Sequence, residues 1–354
     1  MTKGVFRLQE LIELQNKIVP ELVEVLEKRY NILRTIFFNQ PVGRRVLSNE
    51  LNLSERIVRT EISFLKGQGL IEINTPGMTV TESGEEIVDK LNGFIHELKG
   101  LNDLEDKIKE ALSIKKVIIV PGDVENNQGI LKDIGKAASK YLKTVIKDNS
   151  IIALTGGSSV KEVIEAFPKI NKYSNVLVVP ARGGMGRNVE TQANTLAGSL
   201  AKKLNGNYKL LHIPENVSPE IINSLKEEKE IKDIVQSIHN ADILIYGIGN
   251  AMEMAQKRGI SEDKISRLNE LEAVGEAFGC YFNKDSKVVS ETTAIGINIS
   301  NASQINTHIA VAGGANKVES IIATQLNNTH AVLVTDEAAG RKILKILMSR
   351  QKSL

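Results

Sequence analysis

Apolar positions change their period near residue 115, and that change divides the chain in two. Up to about residue 112 they recur at the three- and four-residue spacing of helices. The pattern predicts helices near 6–16, 20–38, 43–51 and 54–66, a hairpin between Leu70 and Thr81, and a long helix near 83–112. Along that last helix Ile87, Leu91, Phe94, Ile95, Leu98, Leu101 and Leu104 fall on one face, which fits a linker or a subunit contact. From Val117 onward the pattern is different. VIIVPG, SIIALTGGSS, NVLVVPARGG, ADILIYGIGN, HIAVAGGANK and HAVLVTDEAAG are each a short apolar run closed by a turn, most of them Gly-bearing, and most precede a helical stretch. Strands apolar on both faces and separated by helices predict a parallel, doubly wound α/β sheet. The domain boundaries follow: an N-terminal domain over 1–90, a helical linker over 91–114 and a larger domain over 115–354.

Within the first domain, VGRRVLSNELNLSERIVRTEISFLKGQGLIEINTPGMTVT has the layout of a winged helix-turn-helix. Val46, Leu47 and Leu51 supply the apolar stripe of the first helix, Asn52-Leu53 makes the turn, and Ser54 caps the second. Ile57, Val58, Ile62 and Leu65 are expected to pack inward. Glu55, Arg56, Arg59, Thr60 and Ser63 then face outward, where a recognition helix meets base edges, and Arg56 and Arg59 suit guanine best. Gly67 and Gly69 end that helix, and the strands around Asn74-Thr75-Pro76-Gly77 form the wing. Arg44, Arg45 and Lys66 are candidates for phosphate contacts. Three ordinary helices with solvated arginines remain the alternative.

In the second domain the candidate chemistry lies at strand ends, where open parallel sheets bind ligands. Gly156-Gly157-Ser158-Ser159 closes a strand just before a helix, a setting that suits a phosphate, although a purely structural turn fits as well. It is neither a P-loop nor a dinucleotide fingerprint. Arg182-Gly183-Gly184, the pair Lys257 and Arg258, and Lys317 bring cations to other strand ends, which together would match a molecule with two phosphates. Glu276 lies between predicted elements, as a hydroxyl acceptor, a base or a solvated carboxylate. The five histidines show no triad or metal spacing.

Composition narrows the function classes. The 354 residues carry 45 Lys+Arg against 43 Asp+Glu, so any basic surface is local. One cysteine, Cys280, excludes an intrachain disulfide and fits a reducing, cytoplasmic setting. The charged start has no signal-peptide pattern, and no apolar run reaches membrane-spanning length. No metal or cofactor is implied.

The order winged helix, TGGSS, PARGG, GIGNA followed by MAQKRG, EAFG, and AVAGGANK before VTDEAA resembles the SorC-type sugar-responsive bacterial repressors over nearly the whole chain. The resemblance implies an effector domain similar in fold to phosphosugar isomerases, without their activity. It implies a repressor of a glycolytic operon, released from double-stranded operator DNA by fructose 1,6-bisphosphate; the two-fold symmetry of helix-turn-helix operators adds the expectation of a homodimer or homotetramer. Carried over by motif, Gly156, Gly157, Ser158 and Ser159 would hold one phosphate and Arg182 would contact phosphate. Gln192 and Glu276 would bond sugar hydroxyls, and Lys317 would help neutralise the other phosphate. The family's MAQ-Arg-Arg reads MAQ-Lys257-Arg258 here, which keeps the charge at Lys257 but not a bidentate fork. Two rivals stand beside this reading: a sugar-phosphate isomerase or deaminase with an appended helical module, and a protein–protein adaptor.

Overall fold

The computed structural model describes residues 18–183, 188–213, 219–292, 294–324 and 329–351. The helix expected near 6–16 and Gly184 lie outside the described residues. Two compact units result: residues 1–103 with 124–130, and residues 104–123 with 131–354.

The first unit is built on α1 (Pro20–Asn39), α2 (Arg44–Glu50) and α3 (Glu55–Gly67), then β1 (Ile71–Asn74), β2 (Gly77–Val80) and α4 (Glu82–Leu98). Its core joins Ile32, Leu33 and Ile36 of α1 to Leu47 of α2 and to Val58, Ile62 and Leu65 of α3. Each such buried aliphatic side chain contributes roughly 1.5–3 kcal/mol. Val46 and Ile57 depart from the expected inward stripe: they are 47% and 40% exposed. Both sit one position away from the buried Leu47 and Val58, and a 100° step around the helix carries them off the apolar face. Helix α3 ends where its glycines predict, with Gly69 at φ +71° and the Gly69 and Leu70 amides bonded back to the Lys66 and Leu65 carbonyls. β1 and β2 form the wing, and Val42 exchanges two backbone hydrogen bonds with Met78 to add a third short strand segment.

The helix predicted over 83–112 is two helices, α4 and α5 (Leu101–Leu112). Gly100 takes φ +61°, and the Lys99 and Gly100 amides close on the Ile95 and Glu97 carbonyls, which ends α4. An unbroken apolar stripe conceals such a break, because a single glycine costs a helix only about 1 kcal/mol.

The second unit continues with β3 (Lys116–Val120), α6 (Gly129–Val145), β4 (Ile151–Leu154), α7 (Ser158–Ala166) and β5 (Leu177–Pro180). Next come α8 (Ala193–Leu204), β6 (Asn207–Tyr208), α9 (Pro219–Glu227), α10 (Lys229–His239), β7 (Ile243–Gly247) and β8 (Gly249–Asn250). The chain then forms α11 (Ala251–Lys257), α12 (Glu262–Glu270), β9 (Ala273–Ala277), β10 (Cys280–Asn283), β11 (Val288–Glu291) and α13 (Ile299–Ala302). It closes with β12 (Thr307–Val311), α14 (Val318–Ala323), β13 (Ala331–Asp336) and α15 (Glu337–Gln351). Six of these strands match the six apolar runs of the sequence. They pair in parallel with β6 in one seven-stranded sheet of order β3-β13-β12-β7-β4-β5-β6. β12 and β13 are buried at every position, as a sheet covered on both faces requires.

A second, four-stranded antiparallel sheet of order β11-β10-β9-β8 has no counterpart in the sequence reading. Glu276 therefore lies within a strand, β9, and not between elements. The hairpin linking β9 to β10 turns on Phe278 and Gly279, both at positive φ (53° and 78°). A phenylalanine at the first of these positions disguises the turn.

Candidate functional site

In the first unit, α3 presents Glu55, Arg56, Arg59, Thr60, Ser63 and Lys66 as exposed residues, with exposed Arg44 and Arg45 at the start of α2. The Ser54 hydroxyl accepts from the Ile57 amide at 3.4 Å, as its cap position predicts. Arg45 lies 3.7 Å from Glu55 in an open ion pair. Arg56 and Arg59 flank two hydroxyls that turn inward: Thr60 donates to the Arg56 carbonyl at 3.1 Å and Ser63 to the Arg59 carbonyl at 2.9 Å. In this arrangement the hydroxyl protons are committed and the lone pairs face outward, which suits a base amine more than a phosphate oxygen.

The inner face of α3 carries a feature that periodicity did not predict. Glu61 is 6% exposed and receives Lys28 at 2.9 Å and Arg29 at 2.8 Å from α1, while the Arg29 guanidinium lies 3.5 Å over the Phe64 ring. Burial pushes the Glu61 carboxyl up, and the hydrogen bonds from Arg29 and Lys28 outweigh it, leaving the group below its ordinary value. The rotation of α3 is thereby tied to α1.

In the second unit the order of strands reverses between β4 and β7: from β4 the chain moves toward β5 and β6, from β7 toward β12 and β13. A crevice is expected outside the carboxyl ends of such a pair. A cavity of about 940 Å³ occupies it. Gly156, Gly157, Ser158, Ser159, Arg182, Gly183, Lys257, Glu276 and Lys317 all line it, so motifs far apart in sequence meet. Gln192 is not among the lining residues, although its neighbours Thr191 and Ala193 are. It precedes α8 at the cap position.

The glycines serve different ends. A Cβ on Gly156 would stand 2.6 Å from the Thr191 carbonyl oxygen, so this glycine permits a close backbone approach. Gly157, at φ +120°, donates its amide to the same carbonyl at 2.8 Å. The groups this corner could offer an anion are thus the first-turn amides of α7, at Ser158 and Ser159, which have no carbonyl partner within the helix.

Arg182 is 9% exposed; its Nη2 donates to the Thr292 hydroxyl at 2.6 Å. Gly279 lies directly beneath the guanidinium: a Cβ there would fall 1.4 Å from Nη1. Arg258, read from sequence as a second rim cation beside Lys257, instead turns inward. It donates to Glu276 at 2.8 Å and to the Tyr281 hydroxyl at 3.2 Å, and the ion pair is almost wholly buried. Glu276 also accepts from the Gly279 amide at 2.5 Å. Lys257 remains exposed, 4.0 Å from Glu253. Burial pushes the Lys317 ammonium below its ordinary value, Lys257 adds to that shift, and Glu253 and Asp336 oppose it. An arriving phosphate would relieve this penalty.

Residues 25–95 match the family model of the CggR N-terminal DNA binding domain, and residues 96–345 match a sugar-binding domain model. The chain is 40% identical over 338 residues to the Central glycolytic genes regulator of Bacillus subtilis (strain 168), covering 96% of this chain and 99% of that one. The chain belongs to the SorC-type family of sugar-binding transcriptional regulators. The crystal structure of a SorC family transcriptional regulator from Enterococcus faecalis, 34% identical, superposes with a TM-score of 0.64 over 68% of this chain and 99% of its own. The full-length sorbitol operon regulator SorC of Klebsiella pneumoniae, 18% identical, shares the fold over 92% of this chain and 99% of its own, again at a TM-score of 0.64. These relatives are transcriptional regulators, which decides against the isomerase or deaminase reading. Among the described residues no helix is long and apolar enough to cross a membrane.

Proposed function

We propose that this SorC-type regulator represses a glycolytic operon in the cytoplasm, binds operator DNA through α3 and the wing as a homodimer or homotetramer, and is released by fructose 1,6-bisphosphate. The observation that carries the effector assignment is the cavity at the β4/β7 reversal. It brings the N-terminus of α7 and the cations Arg182, Lys257 and Lys317 to one cavity. A helix N-terminus and three cations on one cavity suit a ligand with two phosphates. The buried carboxylate of Glu276 supplies an acceptor for sugar hydroxyls. In the first unit, Arg56 and Arg59 are assigned to base edges, with Arg44, Arg45 and Lys66 on phosphates.

The deciding experiment titrates fructose 1,6-bisphosphate into the protein bound to labelled upstream DNA of its own operon, at fixed salt, with fructose 6-phosphate as control. Release by the bisphosphate alone is the expected result. Sugar-insensitive DNA binding would discard this effector, and no DNA binding would discard the operator assignment.

A further inference from the structure

A second cavity, of about 760 Å³, lies behind the first in the same unit and shares Arg182, Phe278 and Gly279 with it. Both volumes fall in the roughly 300–1,000 Å³ range of small-molecule sites. The second cavity has an inner wall and a lip of different character. Cys280, Ile295 and Ile297 form a buried apolar wall, exposed by 3%, 1% and 4%. Lys226 of α9 and Lys232 and His239 of α10 stand at the exposed lip. Glu291 is the carboxylate lining it, and Lys232 also pairs outside the cavity with Glu227 at 2.6 Å. Arg182 brings a buried cation to the inner end, where a low dielectric strengthens its pull on an anion.

We propose that this second cavity binds a small organic anion, a phosphate or carboxylate on a short carbon skeleton. The anionic group meets Arg182 and the lip lysines, and the carbon skeleton lies on the Cys280, Ile295 and Ile297 wall. Burial and the neighbouring Glu291 push the Cys280 thiol up to about 12, so it stays protonated and serves as packing surface. The two cavities compete for one guanidinium. Arg182 is held between them over Gly279 and by Thr292, so an anion that draws it into the second cavity weakens a phosphate site in the first. That competition rests on the effector reading given above; the second site itself does not.

Calorimetric titration of the full-length protein with 3-phosphoglycerate tests the site, with inorganic phosphate and citrate separating phosphate from carboxylate recognition. Charge reversal of the exposed pair, Lys226→Glu with Lys232→Glu, is expected to weaken 3-phosphoglycerate at least tenfold with circular dichroism unchanged. Lys317→Ala, which alters only the first cavity, is expected to leave it within twofold. No heat with any of the three probes at millimolar concentration overturns the proposal. So does an equal loss in Lys317→Ala, which would put the probe in the first cavity. If the probe binds in this pattern while fructose 1,6-bisphosphate does not bind, the effector reading fails and the second site stands.

Discussion

The proposed bisphosphate site turns on two side chains, Arg182 and Lys317, and one backbone point, Gly279. A charge-assisted hydrogen bond is worth about 1.5–3 kcal/mol, or roughly 10–150-fold in affinity. Arg182→Ala and Lys317→Ala are therefore each expected to weaken fructose 1,6-bisphosphate by about that factor and fructose 6-phosphate much less, read by calorimetry. Equal losses for both sugars would mean that the two-phosphate assignment is wrong. Gly279→Ala attacks the same guanidinium from below, because its Cβ would coincide with Nη1 and its φ of +78° disfavours any side chain. This variant should bind bisphosphate as poorly as Arg182→Ala, with the DNA-binding unit intact by circular dichroism and operator affinity. Of these three residues the sequence motifs named Arg182 and Lys317. Gly279 was not legible, since its role arises from an arginine 97 positions away.

At the level of elements, α3 is the proposed recognition helix and Glu61 ties it to α1. The folded-state pKa of Glu61 is lowered from 4.5, so its ion pairs add stability above that value and lose it as pH falls through the lower folded pKa. Glu61→Gln should destabilise the protein at neutral pH by about 1–3 kcal/mol and flatten the fall in stability below pH 4.5, measured by urea unfolding. A pH profile identical to that of the parent would remove Glu61 from the account. Arg56→Ala and Arg59→Ala should each cost about 1–3 kcal/mol of operator affinity and relax base preference, whereas Lys66→Ala should reduce the salt dependence. The cap, turn and wing of this element were legible because each depends on one local residue type: Ser54, Gly69 and Gly77. Exposed Val46 and Ile57 were misassigned because hydrophobicity alone does not choose between adjacent positions on a short helix.

For the whole molecule the central expectation is thermodynamic coupling. If bisphosphate lowers operator affinity, operator DNA must lower bisphosphate affinity by the same factor, and couplings of about 1–3 kcal/mol correspond to roughly 5–150-fold. Titrating fructose 1,6-bisphosphate into free protein and into its operator complex should show an affinity lower in the complex, by the same factor by which the bisphosphate weakens operator binding. Identical affinity in both titrations would uncouple the two activities.

The sequence by itself determined the period change near residue 115, the winged helix with its cap and turn residues, and the six strands of the parallel sheet. It also named part of the cavity lining, Arg182 and Lys317 included. These features are written locally, in periodicity and in glycines at strand ends. Tertiary structure alone decided that Glu276 lies in a strand of a second sheet. It decided, too, that Arg258 is spent on Glu276 while Lys257 stays in solvent. Each of these depends on which distant residues come within hydrogen-bonding reach, and in this fold that follows from strand order, which no local pattern encodes.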